Sequence, residues 1–216
     1  MNGVFHSMVT QGHVSINRFL STCHTYLGLF RSHGQRVFVE LDGQWQLLDV
    51  PSAFEMSPDS CRWIYKHGGG VIEVVSTAPE DKHELRLALA VLEGAAVRFL
   101  ISHHVAINGD DGSPAIPVRW EAQGNGILIR AIPDCDVGRR FPNGGFLITP
   151  SGETKFEKTG GDELLFADGV SRQQPFLCVV TAPARAAGLN IEGRLIASGE
   201  IGQVVNFWSA VTGGLS

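Results

Sequence analysis

Apolar and polar residues alternate over short stretches of this chain, and turn residues separate the stretches. The first clear example is the pair of runs Gln35–Leu41 and Gln44–Val50, which flank the dipeptide Asp42-Gly43. This arrangement predicts a two-residue hairpin, because a type I′ turn needs a positive φ angle at both central residues. Pro51 ends the second run, and after a polar link a third strand-like run begins at Cys61. Together these runs predict a meander of antiparallel strands.

Further strand-like runs follow, separated by Gly, Pro, Asn and Asp residues. In the run Leu85–Leu92, large apolar residues alternate with small or charged ones, which is the period of a strand. Its Ala and Leu content would also suit a helix, but the turn signal at Glu93-Gly94 comes soon after and favours a strand. The run Arg18–Arg31 is ambiguous between a weak strand and a loop with a helical turn, and Asn108–Pro117 is the clearest loop. The further predicted strands are Val4–Asn17 (one or two strands), Val71–Thr77, Leu85–Leu92, Val97–Ile107, Val118–Ala122, Gly126–Ile132, Gly145–Thr149, Glu163–Ala167, Pro175–Ala182, Leu189–Ala197 and Gln203–Val211.

Many short strands, spaced roughly 8–12 residues apart with turn residues between them, indicate a sandwich or barrel. The scarcity of long segments with a helical period argues against an α/β fold. The number of strands exceeds what one open sheet usually carries, which favours two stacked sheets. We therefore predict an all-β fold, a large antiparallel two-layer β-sandwich, as a single domain over residues 1–216.

Composition and charge narrow the classes of function. The hydrophobic content is 44% and the charged content 18%, as in ordered globular proteins. The net charge of −5, without clustered Lys and Arg, argues against nucleic acid as a partner. No apolar run approaches the roughly 18 residues of a membrane span, and residues 1–13 do not read as a signal peptide. Four widely spaced cysteines favour a reduced, cytoplasmic protein: Cys23, Cys61, Cys135 and Cys178.

Motifs for metal or cofactor binding are missing from the sequence. None of the eight histidines has the spacing of an HExxH motif, and no CxxC occurs. We therefore predict no metal and no cofactor. Glycine clusters such as His67–Gly70, Asn143–Gly145 and Thr159–Asp162 could cradle phosphate, but none matches a phosphate-binding motif, and they are predicted to be hairpin turns.

No nucleophile motif is visible, and a pair of catalytic carboxyl groups cannot be recognised from spacing alone. Glu55 and Glu73 stand in apolar surroundings, where a carboxylate needs a partner such as Arg36 or Arg62. We interpret each glutamate as the acidic partner of a buried structural ion pair with an arginine, rather than as a catalytic acid. No catalytic residue is therefore predicted in this chain.

Aromatic residues offer the best candidates for binding a sugar. Trp45, Trp63, Trp120 and Trp208 all fall in predicted strands, where packing in the core is the favoured interpretation. Trp63 stands out because its neighbours supply planar donors and a hydroxyl group. Two adjacent histidines of a later strand should point to opposite faces, so they are poor joint metal ligands. The predicted sugar-binding residues are Trp63, Arg62, Tyr65, His103 and His104.

Five stretches of the chain are distinctive as sequences: Gly3–Cys23, Ser32–Met56, Ser60–Lys66, Val91–Val105 and Gly160–Gly169. They resemble the N-terminal β-sandwich region of 1,2-β-oligoglucan phosphorylases, which are large relatives of cellobiose phosphorylase. The resemblance covers most of the chain, but it includes no catalytic motif.

The resemblance implies a β-supersandwich, the architecture also found in mutarotases, next to an (α/α)6 barrel. It further implies that the parent enzyme releases α-glucose 1-phosphate from a β-glucoside with inversion, using an acid in the barrel. The leading hypothesis is that this chain is a non-catalytic module of such a phosphorylase and a fragment of a larger enzyme. Its expected partners are a carbohydrate and the helical barrel of the parent enzyme, and a homodimer is possible. Alternatives are a freestanding carbohydrate-binding protein and, by fold analogy, a mutarotase-like epimerase.

Overall fold

The computed structural model of the chain describes residues 35–79, 82, 84–105, 119–130, 133–134, 139, 144–196 and 204–206. Three of the predicted segments, Val4–Asn17, Arg18–Arg31 and Asn108–Pro117, lie outside these residues, and so does Trp208.

Fourteen strands and one short 3₁₀ helix account for the regular structure of the described residues. Their bounds are β1 Gln35–Leu41, β2 Gln44–Leu47, β3 Ala53–Met56, β4 Ser60–His67, β5 Gly70–Thr77, β6 Glu84–Glu93, β7 Phe99–His104, β8 Trp120–Gln123, β9 Gly126–Arg130, β10 Gly144–Pro150, β11 Phe156–Gly160, the 3₁₀ helix Asp162–Leu165, β12 Phe176–Thr181, β13 Ala186–Ile196 and β14 Val204–Asn206.

The strands form two antiparallel sheets. The five-stranded sheet has the order β11-β12-β7-β1-β2, and the nine-stranded sheet has the order β3-β4-β5-β6-β13-β10-β9-β8, with β14 also paired to β13. Apolar residues from both sheets join one core cluster between them, including Val37, Phe99 and Val179 from the smaller sheet and Ile72 and Leu89 from the larger. The predicted all-β fold, an antiparallel two-layer sandwich, is confirmed.

The predicted hairpin at Asp42-Gly43 is also confirmed. Strands β1 and β2 pair up to Leu41 and Gln44, so the turn contains only the two intervening residues. Asp42 and Gly43 have φ angles of 51° and 72°, the positive values that a type I′ turn requires. The sequence signal succeeds here because the conformation of a tight turn depends on its own two residues.

The prediction that this hairpin continues into a meander is wrong. Strand β4 pairs with β3 and β5 in the nine-stranded sheet, whereas β1 and β2 belong to the five-stranded sheet. The N–H of Leu48 still donates to the carbonyl of Val37 in β1, whereas the N–H of Ser52 donates to the carbonyl of Ile64 in β4. The chain therefore passes from one sheet to the other between Leu48 and Ser52. The meander begins only after this crossing, from β3 to β6.

Strand β6 shows the predicted alternation. Leu85, Leu87, Leu89 and Val91 are buried, whereas Arg86 and Ala88 are exposed. This strand pairs with β5 on one side and with β13 on the other. Its buried side chains therefore lie in the interior of the sandwich, and its small and charged side chains lie on the outer face of the nine-stranded sheet.

The predicted strand Glu163–Ala167 is wrong, since residues Asp162–Leu165 form the 3₁₀ helix. Here the N–H of Gly161 donates to Oε1 of Glu163 at 2.8 Å, and the N–H of Leu164 donates to the carbonyl of Gly161 at 3.3 Å. These local bonds close a helical turn and replace the hydrogen bonds of a sheet. Consequently Thr159–Asp162 is not the tip of a hairpin but leads into this helix. The short strands β3 and β11 were not predicted from the sequence.

Candidate functional site

Trp63 and Tyr65, the centre of the predicted sugar-binding set, point into the core. Their side chains are only 2% and 4% exposed, because they occupy the inward positions of β4. The ring of Trp63 packs near Phe54, with 5.4 Å between the ring centroids. Burial, followed by the nearby charge of Asp49, raises the pKa of Tyr65 well above its ordinary value.

Arg62 lies on the opposite face of β4, between two carboxylates. Its Nε donates to Glu73 at 2.5 Å and its Nη1 donates to Glu55 at 3.0 Å. The predicted ion pairing with Arg62 is therefore confirmed, but the prediction that the pair is buried is wrong, since the side chains of Arg62 and Glu55 are 39% and 69% exposed. The alternation of the strand places these charges on the outer face.

His103 and His104 lie on opposite faces of β7, as predicted from their adjacency. His103 is buried, its Nε2 is 2.9 Å from Nε2 of Gln35, and its Nδ1 is 3.3 Å from the carbonyl of Leu177. Burial lowers the pKa of His103 to about 4, so the ring is neutral at pH 7. The ring of His104 lies on the other face, 5.1 Å from that of Phe176.

The structure thus divides the five predicted residues between two sheets and between inner and outer faces. Strand β4 belongs to the nine-stranded sheet and β7 to the five-stranded sheet. Arg62 and His104 are not on the same surface as Trp63, Tyr65 and His103. The binding of a sugar by these residues stays a prediction.

Sequence reasoning missed a second apolar cluster on the outer face of the five-stranded sheet. Leu100, Cys178 and Val180 are buried there, although they point away from the main core. The residues packed against them are Phe38, Trp45, Leu164, Leu165 and Phe176. The signal was present in the continuous apolar runs of β7 and β12, since a strand buried on both faces loses its alternation.

The segment from the 3₁₀ helix to β12 covers part of this cluster and is tied down by one carboxylate. Asp162 is buried and accepts hydrogen bonds from the hydroxyl of Ser171 and from the N–H groups of Arg172 and Gln174. Burial alone would raise the pKa of Asp162, but these hydrogen bonds outweigh it and lower the pKa. The charge is therefore used to hold the loop in place.

A second contact holds the same loop from outside. Arg172 donates to both carboxylate oxygens of Asp168 at 2.7 Å, and its guanidinium lies 4.0 Å from the centre of the Phe166 ring. The hydrogen bonds from Arg172 and from the N–H of Val170 lower the pKa of Asp168 to about 2. This carboxylate is ionised at neutral pH.

Beside the covered cluster, the outer face opens into a pocket of about 670 Å³, here called the outer pocket. It lies between the tip of the β1–β2 hairpin, strands β7 and β11 and the 3₁₀ helix. Its lining combines apolar and charged side chains, among them Trp45, Arg98, Leu100, Glu157, Lys158 and Glu163.

The chain matches the glycoside phosphorylase supersandwich domain over residues 1–193. It belongs to this family. The two stacked antiparallel sheets described above are consistent with the architecture in the family's name.

Two comparisons with single proteins accompany the family assignment of this supersandwich domain. A 1,2-β-oligoglucan phosphorylase of Listeria innocua is 27% identical over 111 residues, which cover 51% of this chain. The match spans about a tenth (10%) of the length of that relative. A solved polysaccharide lyase superposes with a TM-score of 0.39 at 9% identity, covering 76% of this chain and 26% of the lyase chain.

Two further observations concern metal binding and membrane-spanning helices in the supersandwich domain. In the described part of the chain, no three His, Cys, Asp or Glu side chains are grouped so that they could hold a metal ion. None of the helical segments among the same residues has the length and apolar character needed to cross a bilayer.

Proposed function

We propose that this supersandwich domain is a non-catalytic module of a carbohydrate-active glycoside phosphorylase. The family assignment supports the enzyme class, and the relative named 1,2-β-oligoglucan phosphorylase supports a β-1,2-linked glucan as the substrate of the parent enzyme. The acid that protonates the leaving oxygen belongs, in this proposal, to a separate (α/α)6 barrel.

One observation that supports the non-catalytic role concerns the two described carboxyl groups whose pKa values are shifted, Asp162 and Asp168. Inverting phosphorolysis needs a carboxylic acid that still holds its proton near neutral pH, which requires a raised pKa. Asp162 and Asp168 are both shifted in the opposite direction by hydrogen bonds within their own loop. They are ionised and committed to structure, so neither can serve as that acid.

The buried histidine supports the same conclusion against the epimerase alternative. An epimerase of the mutarotase type needs a histidine and a carboxylate that converge on the sugar. His103 instead contacts the amide of Gln35 and the carbonyl of Leu177 inside the sandwich. Its neutral ring contributes to the core and does not face a cleft.

As a module, the domain would contribute packing surfaces to the parent enzyme. The proposal treats residues 1–216 as one domain of a cytoplasmic enzyme that packs against the barrel or holds two subunits together. Its exposed charged face at Arg62, Glu55 and Glu73 and its partly covered apolar face at Leu100 offer two different contact surfaces.

The test is phosphorolysis by the purified chain. The chain is incubated with β-1,2-linked glucooligosaccharides and inorganic phosphate, and the release of glucose 1-phosphate is measured. We expect no release above a blank without protein, whereas a full-length 1,2-β-oligoglucan phosphorylase run in parallel releases product. Turnover by this chain at a rate comparable to that control would overturn the proposal.

A further inference from the structure

The outer pocket has the size and the position of a small-ligand site. Its volume of about 670 Å³ falls inside the range of roughly 300–1,000 Å³ that is usual for such sites. Its lining comes from the β1–β2 hairpin, strands β7, β11 and β12, the 3₁₀ helix and the loop that follows this helix. Hydrogen bonds to Asp162 hold the helix and this loop together, so the partly open pocket has a defined frame.

One wall of the pocket is flat and apolar. Trp45 is half-buried on β2, packs against the cluster of Leu100, Cys178 and Val180, and lines the pocket. An indole ring held in this way offers a large rigid surface at little cost in conformational entropy. The C–H faces of pyranose rings suit such a surface, because they are apolar while the hydroxyl groups point outward around the ring.

The other wall is polar, and its charges are balanced. Arg98 contacts Glu157 at 3.1 Å and Glu40 at 3.8 Å. Glu163 already accepts a hydrogen bond from the N–H of Gly161 at 2.8 Å. The pocket lining contains two cations, Arg98 and Lys158, and two carboxylates, Glu157 and Glu163.

Balanced charge disfavours an ionic ligand. A phosphate would meet the two carboxylates, and a cation would meet Arg98 and Lys158, so each would lose solvation without a net gain from the site. A neutral molecule with many hydroxyl groups avoids this penalty, because each hydroxyl group both donates and accepts. The polar wall thus selects for the same ligand class as the aromatic wall.

We propose that the outer pocket is an accessory sugar site for a short neutral β-glucan, with Trp45 stacking on one glucose ring and Arg98, Glu157 and Lys158 bonding to hydroxyl groups. The choice of a β-1,2-linked glucan as the probe rests on the proposed function. In the parent enzyme such a site would hold part of a longer glucan away from the reacting bond.

Isothermal titration calorimetry with β-1,2-linked glucooligosaccharides of three to five units tests this inference. The parent chain should bind, and Trp45→Ala should weaken binding by about fivefold or more, as expected for the loss of one aromatic contact. Trp120→Ala is the matched control, because Trp120 is 40% exposed on β8 of the other sheet, and it should bind like the parent chain.

A second variant keeps the test decisive if Trp45→Ala unfolds, which thermal denaturation would reveal. Lys158 is exposed on β11, so Lys158→Ala should fold normally and still lower the affinity by about twofold or more through one lost hydrogen bond. Equal affinity of all variants, or no binding by the parent chain, would overturn the sugar site. Inorganic phosphate binding as tightly as the glucan would overturn its selectivity for neutral ligands.

The outcome is independent of the phosphorolysis assay. Absence of glucan binding would remove the accessory site and leave the non-catalytic module standing. Turnover of glucan by this chain would remove the module, whatever the calorimetry showed.

Discussion

The two sheets differ in what their outer faces contact. On the outer face of the nine-stranded sheet, strands β4 to β6 carry Arg62, Glu73 and Arg86, which are half-buried or exposed. On the outer face of the five-stranded sheet, Leu100 and Cys178 are completely buried. Strands β4 to β6 of the larger sheet therefore meet the core on one side and polar surroundings on the other, whereas β7 and β12 of the smaller sheet are buried on both sides.

This difference explains where a pocket could form. A sheet face made of charged side chains needs no covering element, but an apolar outer face is stable only when something packs on it. The 3₁₀ helix supplies Leu164 and Leu165 for this purpose, and the outer pocket opens beside them. The covered face is thus both a second core and the place where a ligand site can be built.

The largest expected effect comes from removing a side chain from the second core. Leu100→Ala should lower the free energy of unfolding by about 2–5 kcal/mol, because it leaves a cavity under the covering helix. Leu92→Ala is the control on the nine-stranded sheet, where Leu92 is 46% exposed, and it should cost less than about 1 kcal/mol. Urea denaturation followed by circular dichroism measures both values, and equal costs would contradict the contrast between the sheets.

The next effect is a pH dependence that arises from His103 in the five-stranded sheet. Its pKa is lowered from 6.5 to about 4 in the folded protein, so between these values the unfolded chain binds more protons than the folded one. Stability should therefore rise with pH across this window, by about 3 kcal/mol in total. The contribution of His103 to stability is lost as the pH falls from about 6.5 toward 4.

His103→Gln should remove this slope, even if the variant is less stable at every pH. His67→Gln is the control, since His67 lies at the β4–β5 turn of the other sheet, and this variant should keep the slope. Urea denaturation at a series of pH values gives the comparison. An unchanged slope in His103→Gln would mean that other groups cause it.

A smaller effect is expected from the carboxylate that holds the covering segment. Asp162→Asn should cost about 1–3 kcal/mol at pH 7, because the buried hydrogen bonds to residues 171, 172 and 174 lose their charged acceptor. The pKa of Asp162 is lowered on folding, so its contribution is present above its unfolded pKa and disappears as the pH falls through the folded value.

The parent and Asp162→Asn should therefore converge in stability in acid, which urea denaturation at pH 7 and below pH 4 can check. Asp168→Asn is the control within the same loop, because Asp168 pairs with Arg172 in an exposed position. This variant should cost less than about 1 kcal/mol. A constant difference between parent and Asp162→Asn at all pH values would refute the role of the charge.

The smallest effect is expected on the polar outer face. Glu55→Gln breaks one contact of Arg62 but leaves the one to Glu73, and both partners of the broken pair are partly exposed. The change in stability should be less than about 1 kcal/mol and should shrink further in high salt. A loss as large as that of Leu100→Ala would show that this face is also part of the core.

Sequence reasoning identified the strands whose patterns are local. The alternation in β6 and the Asp42-Gly43 turn were both interpreted correctly, because each depends on residues close together in the chain. For Trp63 it favoured the core and kept a sugar site as the alternative, and the structure buries this side chain in the core. It placed Glu163 in a strand, whereas the structure places it in the 3₁₀ helix. Those positions depend on which sheet a strand joins and on which backbone groups find partners nearby.

The amino-acid sequence by itself determined an all-β protein with short antiparallel strands, since the period of two and the turn residues act over a few positions. The tertiary structure decided that the chain changes layers after β2, that β7 and β12 are buried on both faces, and that Trp45 lines a pocket while Trp63 lies in the core. The physical reason is that strand partners and covering segments are selected by contacts between residues far apart in sequence, which no local pattern records.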